Sequence, residues 1–95
     1  MDLPEEIRLV KSLAAVMEAK LMQNQHKGGW EHEMPDYLTR RAASELYELE
    51  EAIDDIRANG PSHERVNAVW AEAADIANFA MMAAYVATNY DDEET

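Results

Sequence analysis

Apolar residues recur every three to four positions along three long stretches, which is the spacing of one face of an α-helix. The first stretch runs from about Asp2 to Gln25, with Ile7, Val10, Ala14, Met17 and Leu21 on its face. Asp2 can cap its start, Pro4 suits a first turn, and Glu5 and Glu6 sit at the positive end. The second runs from about Pro35 to Ala58, with an apolar stripe of Leu38, Ala42, Leu46, Leu49, Ile53 and Ile56. Asn59-Gly60 is a good helix stop. The third starts after Ser62, a candidate N-cap, and reaches about Asn89. Gly28-Gly29 with Pro35, and Asn59-Gly60-Pro61, separate the three. The pattern predicts one all-α domain over 1–90, built from three long helices, and an acidic frayed tail over 91–95.

Two charge placements break this pattern. At about 100° per residue, Leu38, Ala42, Leu49, Ala52 and Ile56 share a stripe, and Glu45 falls within about 20° of Leu38. Glu48 lies on the edge of that stripe, whereas Glu50, Glu51, Asp54, Tyr47 and Arg40 face away. In the third stretch the only charges from Val66 to Thr88 are Glu72 and Asp75. Its stripe of Val66, Val69, Ala73, Ala77, Ala80, Ala84 and Ala87 is matched by Ile76, Phe79, Met82, Ala83 and Val86 on the other side. Such a helix is expected to be buried all round. Glu72 and Asp75 then point together into the interior, with Asn78 one step further round.

Buried carboxylates of like charge repel one another and cost several kcal/mol, roughly, to desolvate. Only eight Lys and Arg stand against twenty Asp and Glu, and none follows Arg65 on the third helix. Arg41, one turn before Glu45, can pair with it. What remains is protonation or a cation, and acids without nearby His or Cys suit a hard ion, Mg²⁺ or Mn²⁺.

Composition narrows the alternatives. The net charge of -12 disfavours nucleic-acid polymers and anionic membranes as partners. The absence of cysteine excludes a disulfide scaffold, a thiolate zinc site and a cysteine nucleophile. The first residues are acidic where a signal peptide is basic, and no run is convincingly long and apolar enough to cross a bilayer. The expectation is a cytoplasmic protein. A di-iron carboxylate bundle is set aside, because Glu-x-x-His occurs nowhere in the chain.

Glu45-Leu46-Tyr47-Glu48 followed by Glu72-Ala73-Ala74-Asp75 resembles the paired E-x-x-E and E-x-x-D motifs of the MazG-like nucleoside triphosphate pyrophosphohydrolases. The Lys27-Gly28-Gly29-Trp30 loop and the run Trp70 to Met82 look like the short phage-type branch, so the resemblance covers roughly residues 20 to 85. A Glu48-x-x-Glu51 register also fits, but Glu51 points away from the stripe holding Glu45.

The resemblance implies a helical core assembled as a homodimer or homotetramer, with a four-helix-bundle type of centre. It implies that Glu45, Glu48, Glu72 and Asp75 hold Mg²⁺, with Glu48 or Glu45 as a candidate general base. Water then attacks between the α- and β-phosphates of a nucleoside triphosphate and releases a monophosphate and pyrophosphate.

The supporting residues each have a plainer role too. Lys27 can reach a phosphate or stand in solvent, and Trp30 can stack on a base or anchor its loop. Arg41 can bind phosphate or only pair with Glu45. Asn78 can contact sugar or base, or bridge two helices. His26, His32 and His63 show no metal-ligand spacing. The third helix cannot be covered on every side by two others, which independently points to a second copy. Two other readings are a non-catalytic acidic helical adaptor or inhibitor, and a nucleotide-binding relative without turnover.

Overall fold

The computed structural model describes residues 3–25 and 28–89. Among them there are three α-helices and one short 3₁₀ turn: α1 (Glu5–Gln23), the turn Trp30–His32, α2 (Pro35–Asn59) and α3 (His63–Asn89). The three helices fall where the apolar periodicity places them. Asp2 and the tail, with their assigned capping and fraying, lie outside the described residues.

Local chemistry sets the helix ends. Pro35 occupies the first turn of α2, where its missing N–H costs nothing. Gly60 ends that helix at φ 81°, a conformation that suits glycine, and donates its N–H to the Ile56 carbonyl at 2.7 Å. Ser62 caps α3, its Oγ accepting from the Arg65 N–H at 3.1 Å. Arg65 then reaches back across the turn. Its Nη1 donates to the Asn59 and Gly60 carbonyls at 3.3 and 3.2 Å, and its Nε lies 3.4 Å from Asp55 Oδ2. The sharp α2–α3 hairpin is therefore held by one guanidinium that satisfies the carbonyl end of α2.

α3 is the centre of the molecule. α2 packs along it and α1 packs against it, while among the described residues the backbones of α1 and α2 do not come close to each other. The core is small: Leu38, Ala74, Met82, Ala83 and Val86 are the buried apolar residues, with Leu21, Trp30 and Phe79 packed against them. The radius of gyration is 15.6 Å, against about 12 Å for a compact chain of this length.

Three expectations are corrected here. The face read for α1 is not covered within one chain: Ile7 is 44% and Val10 62% exposed, Ala14 is exposed, and only Met17 and Leu21 are half-buried. The reason is that α1 meets α3 through its C-terminal half and its backbone does not pack against that of α2. Leu46 is 49% exposed, because the buried stripe of α2 runs through Ala42, Glu45 and Leu49 instead. Finally, α3 is not buried all round in a single chain, since Ala80, Met81, Ala84, Tyr85 and Ala87 remain exposed.

Candidate functional site

The anomalous acids converge. Carboxylate oxygens of Glu45, from α2, and of Glu72 and Asp75, from α3, lie within 4.8 Å of one another, and all three residues are half-buried. The geometry follows from the two helix faces. Glu45 sits on the stripe that packs α2 onto α3, and Glu72 and Asp75, one turn apart, meet it from the other side. Glu48, one turn further along α2, is exposed and stands outside this group of three.

The electrostatics are strained. Burial pushes the Glu72 carboxyl above the usual carboxylate range, and the charges of Glu48, Asp75 and Glu45 push it further the same way. Its Oε2 is fully buried and has no hydrogen-bond partner among the described residues. Two cations relieve its neighbours. Arg41 Nη2 lies 3.6 Å from Glu45 Oε1, the pair expected from their i,i+4 spacing. Lys20 Nζ, from α1, lies 3.3 Å from Asp75 Oδ2. Neither cation pairs with Glu72.

Lys20 is the residue that sequence reasoning missed. The ion pair forms because α1 packs on the Asp75 side of α3. Lys20 shares the half-buried edge of α1 with Leu13, Val16, Met17 and Leu21, but which acid that edge meets is set by the packing of α1 on α3.

Arg41 is held on several sides. Its Nη1 donates to the Tyr37 hydroxyl at 3.3 Å, and its guanidinium lies 4.8 Å from the centroid of the Phe79 ring. The Tyr37 hydrogen bond is the first cause that raises its pKa, with Glu45 contributing, so Arg41 stays fully charged.

Beside the acids lies a groove of about 770 Å³, lined among others by Lys20, Trp30, Arg41, Asp75, Asn78 and Phe79. That volume falls in the range of small-molecule sites. Asp75 belongs to both the acid group and the groove wall, and joins the two. Asn78 is 5% exposed and its Nδ2 donates to the Met17 carbonyl at 3.3 Å, which ties α3 to α1. Its Oδ1 has no partner. The helix-bridging role expected for Asn78 is thus filled by one end of the amide, and an acceptor remains free at the other.

Trp30 anchors its loop. It packs on the core and meets Tyr85 edge-on, with ring centroids 5.8 Å apart and planes at 69°. It also lines the groove. Gly28 and Gly29, both at positive φ, precede it in the same wall. Lys27 lies outside the described residues.

The donor set fits a hard divalent cation: three carboxylates, half-buried, with one oxygen that has no proton donor in reach. A buried acceptor without a partner costs stability unless a cation or a proton supplies the missing interaction. Among the described residues no helix is long and apolar enough to cross a membrane. Comparison with protein families, curated proteins and solved structures finds no match to this chain.

Proposed function

We propose that the chain is a Mg²⁺-dependent nucleoside triphosphate pyrophosphohydrolase of the MazG-like kind, cleaving ribo- or deoxyribonucleoside triphosphates to the monophosphate and pyrophosphate. The observation that carries the reading is the meeting of Glu45, Glu72 and Asp75 within 4.8 Å, beside a groove large enough for a nucleotide. Glu45, Glu72 and Asp75 would hold the cation, Mg²⁺ or Mn²⁺, with Glu48 as a fourth acid. When bound, the ion supplies Lewis-acid polarisation of phosphate oxygens and a lowered pKa for its water.

The chain's own residues supply the rest. Arg41, fixed by Tyr37 and Phe79, presents a rigid cation at the groove wall, suited to a phosphate oxygen. Lys27 is a second candidate for phosphate. Asn78, on the groove wall, is a candidate for the sugar or base, and so is Trp30 through its aromatic ring. Glu48 or Glu45 serves as general base for the attacking water. The half-burial of the three acids favours this reading over an acidic adaptor, whose acids would face solvent.

The same proposal includes a homodimer or homotetramer with a four-helix type of core. The small core, the extended shape and the exposed apolar residues on α1 and α3 support it. Sedimentation at micromolar concentration should show a species larger than a monomer, and monomer alone would refute this part.

The test of the function is product analysis with a panel of nucleoside triphosphates, with and without Mg²⁺. Equimolar monophosphate and pyrophosphate, formed only with the metal, is the expected outcome. Nucleotide binding without any product would instead indicate a relative without turnover. Neither binding nor turnover would favour the adaptor.

A further inference from the structure

Resting on the function proposed above, we propose that Lys20 is the resident counter-cation of Asp75, yielding that carboxylate to a divalent ion and meeting the anionic ligand of the groove. Asp75 is the acid shared by the metal-fitting group and the groove wall, and Lys20 Nζ lies 3.3 Å from its Oδ2. Both side chains are partly open, at 28% and 23% exposure, so the pair is not locked in a dry interior. Lys20 lines the groove as well, on the α1 side, facing the same space as Arg41 on α2.

The chemistry follows from charge. A cation at contact distance from Asp75 lowers the site's affinity for any further cation, since like charges repel strongly at partly buried sites. Displaced from Asp75, the ammonium on its flexible four-carbon stem stays within the groove. A polyphosphate is the class of ligand that gains from it there. Arg41, on the opposite wall of the same groove and held by Tyr37 and Phe79, supplies a second cation for such a ligand. Lys20 is therefore expected to act on metal and on phosphate with opposite sign. A clasp that merely fastened α1 to α3 would not.

The experiment uses the full chain, with Mg²⁺ alone and then inorganic tripolyphosphate in saturating Mg²⁺ as probes, both by isothermal titration calorimetry. Lys20→Met keeps the apolar stem and volume; Lys20→Gln repeats the test with a polar neutral side chain if Met disturbs the fold. Lys20→Arg keeps the charge. Loss of the charge should tighten Mg²⁺ binding roughly tenfold and weaken tripolyphosphate binding by about the same factor, each about 1.4 kcal/mol. Lys20→Arg should stay within about twofold of wild type on both. Mg²⁺ binding that is unchanged or weaker in the neutral variants, while wild type binds the ion, overturns the role of Lys20 and leaves the proposed function standing. No Mg²⁺ binding by wild type overturns both.

Discussion

Glu72→Gln is the most informative single perturbation of the apo protein. Glu72 is half-buried, its Oε2 has no hydrogen-bond partner, and carboxylate oxygens of Glu45 and Asp75 lie within 4.8 Å. At an effective dielectric constant of about 20, two like charges that far apart repel by roughly 3.5 kcal/mol. The cations Arg41 and Lys20, paired to Glu45 and Asp75, offset part of this for the cluster as a whole. The orphaned oxygen adds a desolvation cost of about 1–3 kcal/mol. Replacing the carboxylate with a neutral amide that can donate to Glu45 should stabilise the apo protein by about 1–3 kcal/mol at pH 8. That corresponds to a Tm gain of roughly 4–8 °C per kcal/mol for a domain of this size.

The pH dependence fixes the sign. The folded-state pKa of Glu72 is raised above its ordinary value of 4.5 by burial and then by Glu48, Asp75 and Glu45. In the window between the unfolded and folded values, the folded state binds more protons than the unfolded state. Stability associated with this group is thus present below about 4.5 and lost as pH rises through the folded value. The advantage of Gln over Glu should therefore be greatest at pH 8 and fade toward pH 4. Thermal unfolding by circular dichroism across that range, without metal, is the assay. A variant less stable than wild type at pH 8, or a gain equally large at pH 4, would refute the reasoning.

Two further outcomes probe the scaffold. Leu38 is 1% exposed, so Leu38→Ala should cost about 2–4 kcal/mol in urea unfolding; a loss under about 1 kcal/mol would mean that the small core is not what holds α2 to α3. Arg65→Ala removes the guanidinium from the Asn59 and Gly60 carbonyls and from Asp55. It should lower stability by about 1 kcal/mol and speed hydrogen exchange at the α2–α3 turn; unchanged exchange there would contradict the stapling role.

The helical architecture was legible because each element obeys local rules. Pro35, Gly60 and Ser62 mark helix ends through backbone chemistry that needs no tertiary partner. Glu45 was legible as an inward acid because its angle to Leu38 is fixed by helix geometry alone. The inward placement of Glu72 and Asp75 followed from the absence of other charges between Val66 and Thr88 of α3.

What was illegible depends on which helix packs where. The α1 stripe from Ile7 to Leu21 has the right period, yet only its C-terminal end meets α3, and nothing local encodes that offset. The Lys20–Asp75 pair, and the stacking of Arg41 on Phe79, arise from the same tertiary choices. Leu46 and Glu48 sit on the margin of the α2 stripe, where a rotation of a few tens of degrees decides exposure. An exposed Glu48 beside three half-buried acids is the consequence.

The central claim is that the inward acids form a cation site, and Mg²⁺ titration by calorimetry tests it most directly. Wild type should show saturable binding that is lost in Glu45→Gln, Glu72→Gln and Asp75→Asn but kept in Glu50→Gln and Glu51→Gln, whose side chains are exposed on the far face of α2. Equal binding by all six proteins would contradict the claim, because the ion would then be answering only to the overall charge of -12.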